Sequence, residues 1–384
     1  MINKKREKRP LGVYIHIPFC MRKCRYCDFL SFPSKEDEME QYVESLCEEI
    51  CCFFRQYDNY TVTSVFFGGG TPSILSEKLT EKIFTTLLQR APLSSDAEIT
   101  TEANPGTLKG EKLRIYRTLG FNRLSIGLQT TVEKELAYLG RIHTYDDFCN
   151  SYEQAQNAGF ENINVDLMSA IPYQTFSSYE LSLKRVLSFD PAHISAYSLI
   201  VEEGTPFYEE QNLDLLLPDE DTERLMYDMT RELLEQRGYS RYEISNYAKP
   251  GKECRHNLIY WDRKDYIGFG LGASSCLNDI RFRNESDFLS YLKCPWKEIR
   301  KREDYEELTL KEQMEEAMIL GLRKIAGVSK KEFFSRYGNK LEEVFGDVII
   351  HYEKEGLLEQ RGDRVRFTRR GLDVSNVVLC DFIT

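Results

Sequence analysis

The segment "GVYIHIPFCMRKCRYCDFLSF", residues 12–32, carries Cys20, Cys24 and Cys27 on one loop directly behind an alternating apolar run. Thiols this closely spaced in a chain read as metal ligands before anything else. The Cys-x3-Cys-x2-Cys unit is too short for a zinc knuckle, and no fourth thiolate or imidazole lies nearby to complete a tetrahedral site. Three thiolates suit a cubane 4Fe–4S cluster in which the protein holds three irons and the fourth stays open to an outside ligand. The chain has eleven cysteines, an odd number unevenly distributed, which is not a secreted disulfide framework. Cys47 and Cys51, at i and i+4 on an amphipathic segment, read as core packing.

A second chemical signal is "FFGGGTPS", residues 66–73, behind the second apolar run. Glycines at the C-terminal end of a strand let the backbone come close to a ligand. Further polar candidates are Tyr14, six residues before Cys20, then Glu102, Gln129, Arg141 and Asp166. Arginine can pair with a carboxylate, and aspartate can accept from hydroxyls.

The elements that must position these residues alternate. Strand-like runs "GVYIHI", "VTSVFF", "AEITTEA", "RLSIGLQ", "NINVDLM" and "HISAYSL" are separated by helical patterns at 36–57, 76–90, 107–119, 145–158 and 176–188. Alternating strands and helices imply a parallel sheet with right-handed crossovers, so the fold class is α/β, an open (β/α)6 partial TIM barrel. The candidates then fall at or just beyond the C-terminal strand ends, where barrel sites form. One strand face is apolar, as in Leu124, Ile126 and Leu128. The other is repeatedly polar, as in Arg123, Ser125 and Gln129, or in Asn162, Asn164 and Asp166. That polar face predicts a hydrophilic cavity inside the barrel rather than a packed interior.

A helix is expected at 219–237, followed by an aromatic and glycine-rich region without a barrel period. Helices near 309–323, 329–336 and 340–355 and a hairpin around Gly362 suggest a C-terminal winged-helix-like α+β domain. The expected division is a barrel domain over 1–245, a connecting region over 246–305 and the C-terminal domain over 306–384. Glu342, Glu343, Asp347, Glu353 and Glu355 on the would-be recognition helix repel phosphate, so packing or covering a ligand is expected there and not DNA binding.

CxxxCxxC on the loop after the first strand resembles the signature of the radical SAM superfamily. The resemblance implies that the open iron binds the amino and carboxylate groups of S-adenosylmethionine (SAM), and that reduction cleaves the sulfonium to a 5′-deoxyadenosyl radical. It also implies cofactor-binding roles for Tyr14, Tyr26, Gly69, Gly70, Thr71, Glu102, Gln129, Arg141 and Asp166. "YIHIPFC", "GGGTPS", "GLQ" and the C-terminal module are similar to the branch containing oxygen-independent coproporphyrinogen III oxidase and the HemW family, from about residue 10 to about residue 375. The oxidase has a further cysteine two positions after the third, where this chain has Phe29, and a long N-terminal extension. This chain has about a dozen residues before its first expected strand. Both departures favour the HemW family.

"HNLIYW", residues 256–261, matches that family's HNxxYW motif, which implies haem binding by His256, Tyr260 and Trp261. A neutral imidazole can ligate haem iron and the aromatic rings can stack on a porphyrin. Cys254 is a rival ligand, and Cys294-Pro295 is a weaker Cys-Pro one.

The implied function is that of a haem chaperone with a 4Fe–4S cluster, SAM and haem. Its implied partners are acceptor haemoproteins, an electron donor and a second copy in a homodimer. The alternatives are radical decarboxylation of coproporphyrinogen III and radical haem degradation. A net charge of −11 argues against a general nucleic-acid binder. The basic start "MINKKREKRP" is followed by an apolar run broken by Gly12, His16 and Pro18, so a cytoplasmic location is expected rather than export.

Overall fold

The computed structural model describes residues 8–296 and 298–383. Six parallel strands with their crossover helices form the frame: β1 (Arg9–Ile17), α1 (Glu36–Gln56), β2 (Tyr60–Gly69), α2 (Glu77–Arg90), β3 (Leu93–Ala103), α3 (Gly110–Leu119), β4 (Arg123–Gln129), α4 (Glu133–Leu139), α5 (Tyr145–Asn157), β5 (Asn162–Ser169), α6 (Phe176–Ser188) and β6 (His193–Ser198). Strands β1 to β6 pair in chain order, all parallel. The first strand starts at Arg9 rather than Gly12, because Arg9, Pro10 and Leu11 pair with Tyr60, Thr61 and Val62. Helix α4 has no counterpart among the expected helices. Its seven residues are too few to show a period before Gly140 ends it in the left-handed conformation.

The apolar strand faces pack under the helices as expected: Val13, Ile15 and Ile17, Leu124, Ile126 and Leu128, and Ile163, Val165 and Leu167 are all buried. Capping side chains set several helix starts. Ser76, Thr144 and Thr175 accept from the backbone N–H three residues on, each such cap being worth about 1 kcal/mol.

Beyond β6 lie α7 (Glu220–Gln236), β7 (Ser240–Arg241), β8 (Asn246–Ala248), α8 (Arg255–Trp261), β9 (Tyr266–Phe269), β10 (Ser274–Leu277), β11 (Ile280–Arg283), α9 (Phe288–Lys293) and β12 (Glu303–Glu307). The stretch without a barrel period thus contributes strands to the main sheet, whose order is β12-β11-β10-β9-β1-β2-β3-β4-β5-β6-β8-β7. Strand β9 lies parallel to β1, with Gly12 opposite Tyr266, and β10 to β12 continue antiparallel. A buried carboxylate ties this extension to α1. Glu49 accepts from Gly270 N (2.8 Å), Asn284 Nδ2 (2.7 Å), Tyr291 OH (2.9 Å) and Arg302 Nη1 (3.2 Å).

The C-terminal module comprises α10 (Leu310–Leu322), β13 (Val328–Ser329), α11 (Lys330–Tyr337), α12 (Leu341–Lys354), β14 (Leu358–Arg361), β15 (Arg364–Phe367), α13 (Arg369–Asp373) and α14 (Ser375–Cys380). Its three-stranded sheet runs β13-β15-β14, and it has its own core around Met318, Leu341, Phe345 and Val365. Helix α12 buries Phe345, Ile349 and Tyr352 in that core. The module meets α8 through α10 and the turn behind it: Arg263 Nε donates to Glu316 (2.8 Å), Lys324 pairs with Asp262, and Arg323 lies 4.6 Å from the Trp261 ring centre.

Candidate functional site

A cavity of about 650 Å³ opens at the C-terminal ends of β1 to β6. Cys20, Cys24 and Cys27 stand on its wall, as do Tyr14, Tyr26, Gly69, Gly70 and Thr71. Glu102, Gln129, Arg141 and Asp166 complete the set expected to bind a nucleotide cofactor, and His256 and Tyr260 also line it. The inner strand face is polar down to Arg123, Ser125, Asn164 and Ser195, which is the hydrophilic interior that the alternation predicted.

The three thiols are free and partly exposed. Thr71 Oγ1 lies 3.6 Å from Cys20 Sγ, and burial, with the neighbouring Cys24 and Cys20, pushes the Cys27 thiol up. Among the described residues no three His, Cys, Asp or Glu side chains gather around a single-ion site. Three separated thiols on one loop facing a cavity match a cubane in which three of the four irons would each take one protein thiolate. When bound, such a cluster supplies an electron and one open iron for a chelating ligand.

The glycine loop is shaped by contact rather than by sequence alone. Gly69 has φ +113°, in the left-handed region that favours glycine. A Cβ on Gly70 would lie 2.6 Å from the Phe19 carbonyl oxygen and 3.0 Å from Cys20 Sγ. We therefore expect Gly70→Ala to strain the loop by about 1–3 kcal/mol, read as lowered iron and sulfide content after anaerobic reconstitution. Unchanged loading would contradict the contact.

Around this loop the polar residues pair in separate sets. Gly69 N donates to Glu102 Oε2 (3.1 Å), Asn104 Nδ2 to Thr71 Oγ1 (3.0 Å), and Arg141 Nη1 to Asn104 Oδ1 (2.8 Å). Burial and the nearby Asp166 push the Glu102 carboxyl up to about 8. Burial also raises the Asp166 carboxyl, although Asn164 Nδ2 donates to it at 2.7 Å. Gln129, at φ +73°, sits where β4 slips register against β5, and accepts from Tyr197 OH (2.9 Å). Asn104, Ser195 and Tyr197 were not singled out from the sequence. Asn104 follows a strand end in "EANPG", which was a usable signal, whereas Tyr197 joins the site only through its pairing partner.

The HNLIYW segment divides. His256 is buried, with its ring nitrogens 2.8 Å from Ser64 Oγ and 2.8 Å from Tyr260 OH, and burial lowers the imidazole to about 3. Trp261 does not line the barrel cavity. With Tyr260 it lines a second cavity of about 500 Å³. Cys254 is buried beside Glu98, and burial pushes its thiol up to about 12, which disfavours the thiolate a metal needs. Cys294 is exposed and donates to the Trp296 carbonyl (3.3 Å).

Residues 14–186 match the family model for the radical SAM superfamily, and residues 308–374 match that for the HemN C-terminal domain. The haem chaperone HemW of Bacillus subtilis (strain 168) is 39% identical over 97% of this chain and 99% of its own length. The haem chaperone HemW of Lactococcus lactis is 37% identical over 98% of each. The chain belongs to the HemW family. In fold, it is similar to the solved coproporphyrinogen III oxidase HemN of Escherichia coli, with a TM-score of 0.86 at 22% identity, covering 99% of this chain and 92% of that one. Membership of the radical SAM superfamily accounts for the open barrel and the cysteine loop, and implies a 4Fe–4S cluster and SAM. Among the described residues no helix is long and apolar enough to cross a membrane.

Proposed function

We propose that this chain is a haem chaperone that carries a 4Fe–4S cluster on Cys20, Cys24 and Cys27, binds SAM and haem, and passes haem to acceptor haemoproteins. The observation that carries the reading is similarity along the whole length, at 37–39% identity, to proteins named as haem chaperones. Phe29 supports it: it stands 58% exposed where the oxidase pattern has a cysteine. In this reading Tyr14, Tyr26, Gln129 and Arg141 orient SAM, and the Gly69–Thr71 backbone approaches its methionyl end. Asp166 accepts from its ribose, and Glu102 faces its cationic part. The buried wall excludes water from the sulfonium. An electron donor, a homodimeric assembly, a cytoplasmic setting and no nucleic-acid partner belong to the same reading.

The test is one anaerobic reconstituted preparation offered haem and coproporphyrinogen III side by side with SAM and reductant. We expect a stable haem complex that loses its haem to an apo-haemoprotein, and no protoporphyrinogen. Product formation from coproporphyrinogen would replace this reading with the oxidase one, and loss of the Soret band with SAM and reductant would replace it with haem degradation. Cys24→Ser is expected to abolish the cluster absorbance; retained iron and sulfide would remove the cluster assignment.

A further inference from the structure

The second cavity, about 500 Å³, lies between the cluster loop, the β9–β10 edge and α10. It shares Tyr14, Phe29, Gly69, Glu102 and Tyr260 with the barrel cavity, so these residues form the partition between the two. We propose that this second cavity, and not the barrel interior, holds the haem, so that haem and SAM occupy adjoining chambers at the same time. The inference rests on the haem reading above and gives it a place.

The two chambers differ in chemistry. The barrel interior presents Arg123, Asp166, Asn164 and Ser195, which a porphyrin plane would desolvate without replacing their partners. The second chamber presents Tyr260, Trp261 and Tyr266 with Leu30 and Leu320, flat and aliphatic surfaces suited to an apolar macrocycle. Leu30 is 37% exposed on the cluster loop, and Leu320 comes from the C-terminal module, so three separate parts of the chain meet there.

Cationic side chains edge this wall. Arg263 gives Nε to Glu316 and Nη1 to Asp279 and is buried behind this wall. Lys264 and Arg281 line the chamber with side chains 54% and 42% exposed, each paired with an acid, Asp262 and Glu316 respectively. A flat amphiphile with two carboxylates fits aromatic walls edged by cations. His256 does not line this chamber. Its contact with the Tyr260 hydroxyl makes it a positioning residue for the partition and not an axial ligand in this conformation.

Two tryptophan substitutions at exposed positions separate the chambers. Ser274→Trp fills the second, and Ile200→Trp, at a residue 70% exposed on the barrel mouth, obstructs the first. Haem is titrated into the full-length, cluster-loaded protein by its Soret band, with and without saturating SAM. Circular dichroism serves as the fold control. We expect Ser274→Trp to weaken haem binding at least about tenfold, and Ile200→Trp and SAM to change it by less than about twofold. Ile200→Trp should weaken SAM binding. Lys264→Glu, a surface change, is expected to weaken haem binding and carries the test if Ser274→Trp does not fold.

Competition between SAM and haem, or loss of haem in Ile200→Trp alone, would put haem in the barrel and overturn the proposal. So would haem binding that neither Ser274→Trp nor Lys264→Glu alters. A parent protein that takes up no haem sinks the chaperone reading itself, and this placement with it.

Discussion

Replacing Glu49 by alanine is expected to cost about 3–5 kcal/mol, the range for removing one partner of a buried ion pair. Glu49 and Arg302 are both buried, at 0% and 3% side-chain exposure, so solvent does not screen the loss. Burial pushes the Glu49 carboxyl up, against the Arg302 charge and the Gly270, Tyr291 and Asn284 hydrogen bonds that pull it down. The alanine variant strips all of these donors of a shared acceptor at once. Because they reach Glu49 from β9–β12 and their connections, the damage should concentrate there and loosen the wall of the second cavity. Urea denaturation checks the stability change, and hydrogen exchange at residues 266–307 checks its place. Glu49→Gln, which keeps one acceptor oxygen, should lie between the two. A loss below about 1 kcal/mol, the worth of an exposed pair, would show that the buried network does not hold the extension in place.

The second large effect is a pH dependence of SAM affinity. Glu102 has its carboxyl raised to about 8, first by burial and then by Asp166, while the Gly69 N–H and Arg123 pull it down. At neutral pH the ligand-free site therefore holds it protonated. If Glu102 faces the cationic part of SAM, binding requires the carboxylate and releases a proton. Affinity should then rise about tenfold for each pH unit up to about 8 and level off above it. Glu102→Gln should flatten the profile and hold affinity near its low-pH value. Equilibrium dialysis of cluster-loaded protein between pH 6.5 and 8.5 reads both, and a flat parent profile would remove Glu102 from the nucleotide site. In folding, the same shift acts with the opposite sign. The native state keeps this proton more tightly than the unfolded chain, so the group's contribution is greatest below the ordinary carboxylate range. It declines as pH rises from there through about 8.

The site splits along the same line as the fold in how far it was legible. Cys20, Cys24 and Cys27 lie within eight residues, and the glycine run lies within three, so their chemistry shows in any window long enough to contain them. Gln129 and Asp166 were legible through period-two alternation, because a strand sends alternate side chains to opposite faces whatever it pairs with. The HNLIYW segment was legible as a motif but not as geometry. Its histidine turned out to be bonded to Ser64, 192 residues away, and its tryptophan to face a different chamber from the cysteines.

The sequence by itself determined the local parts: the alternating strands and helices, the cysteine loop, the polar inner face and the winged-helix-like order of the C-terminal module. Each is written in spacing, and spacing fixes which side chains share a face. Only the tertiary structure decided that β9 adds to the open edge of β1, that Glu49 gathers donors from more than 220 residues away, and that a second chamber forms beside the first. Those features depend on which edges and faces meet, and contacts between distant segments carry no period along the chain. Their energy comes from burying surfaces against each other, so they exist only once the chain has closed.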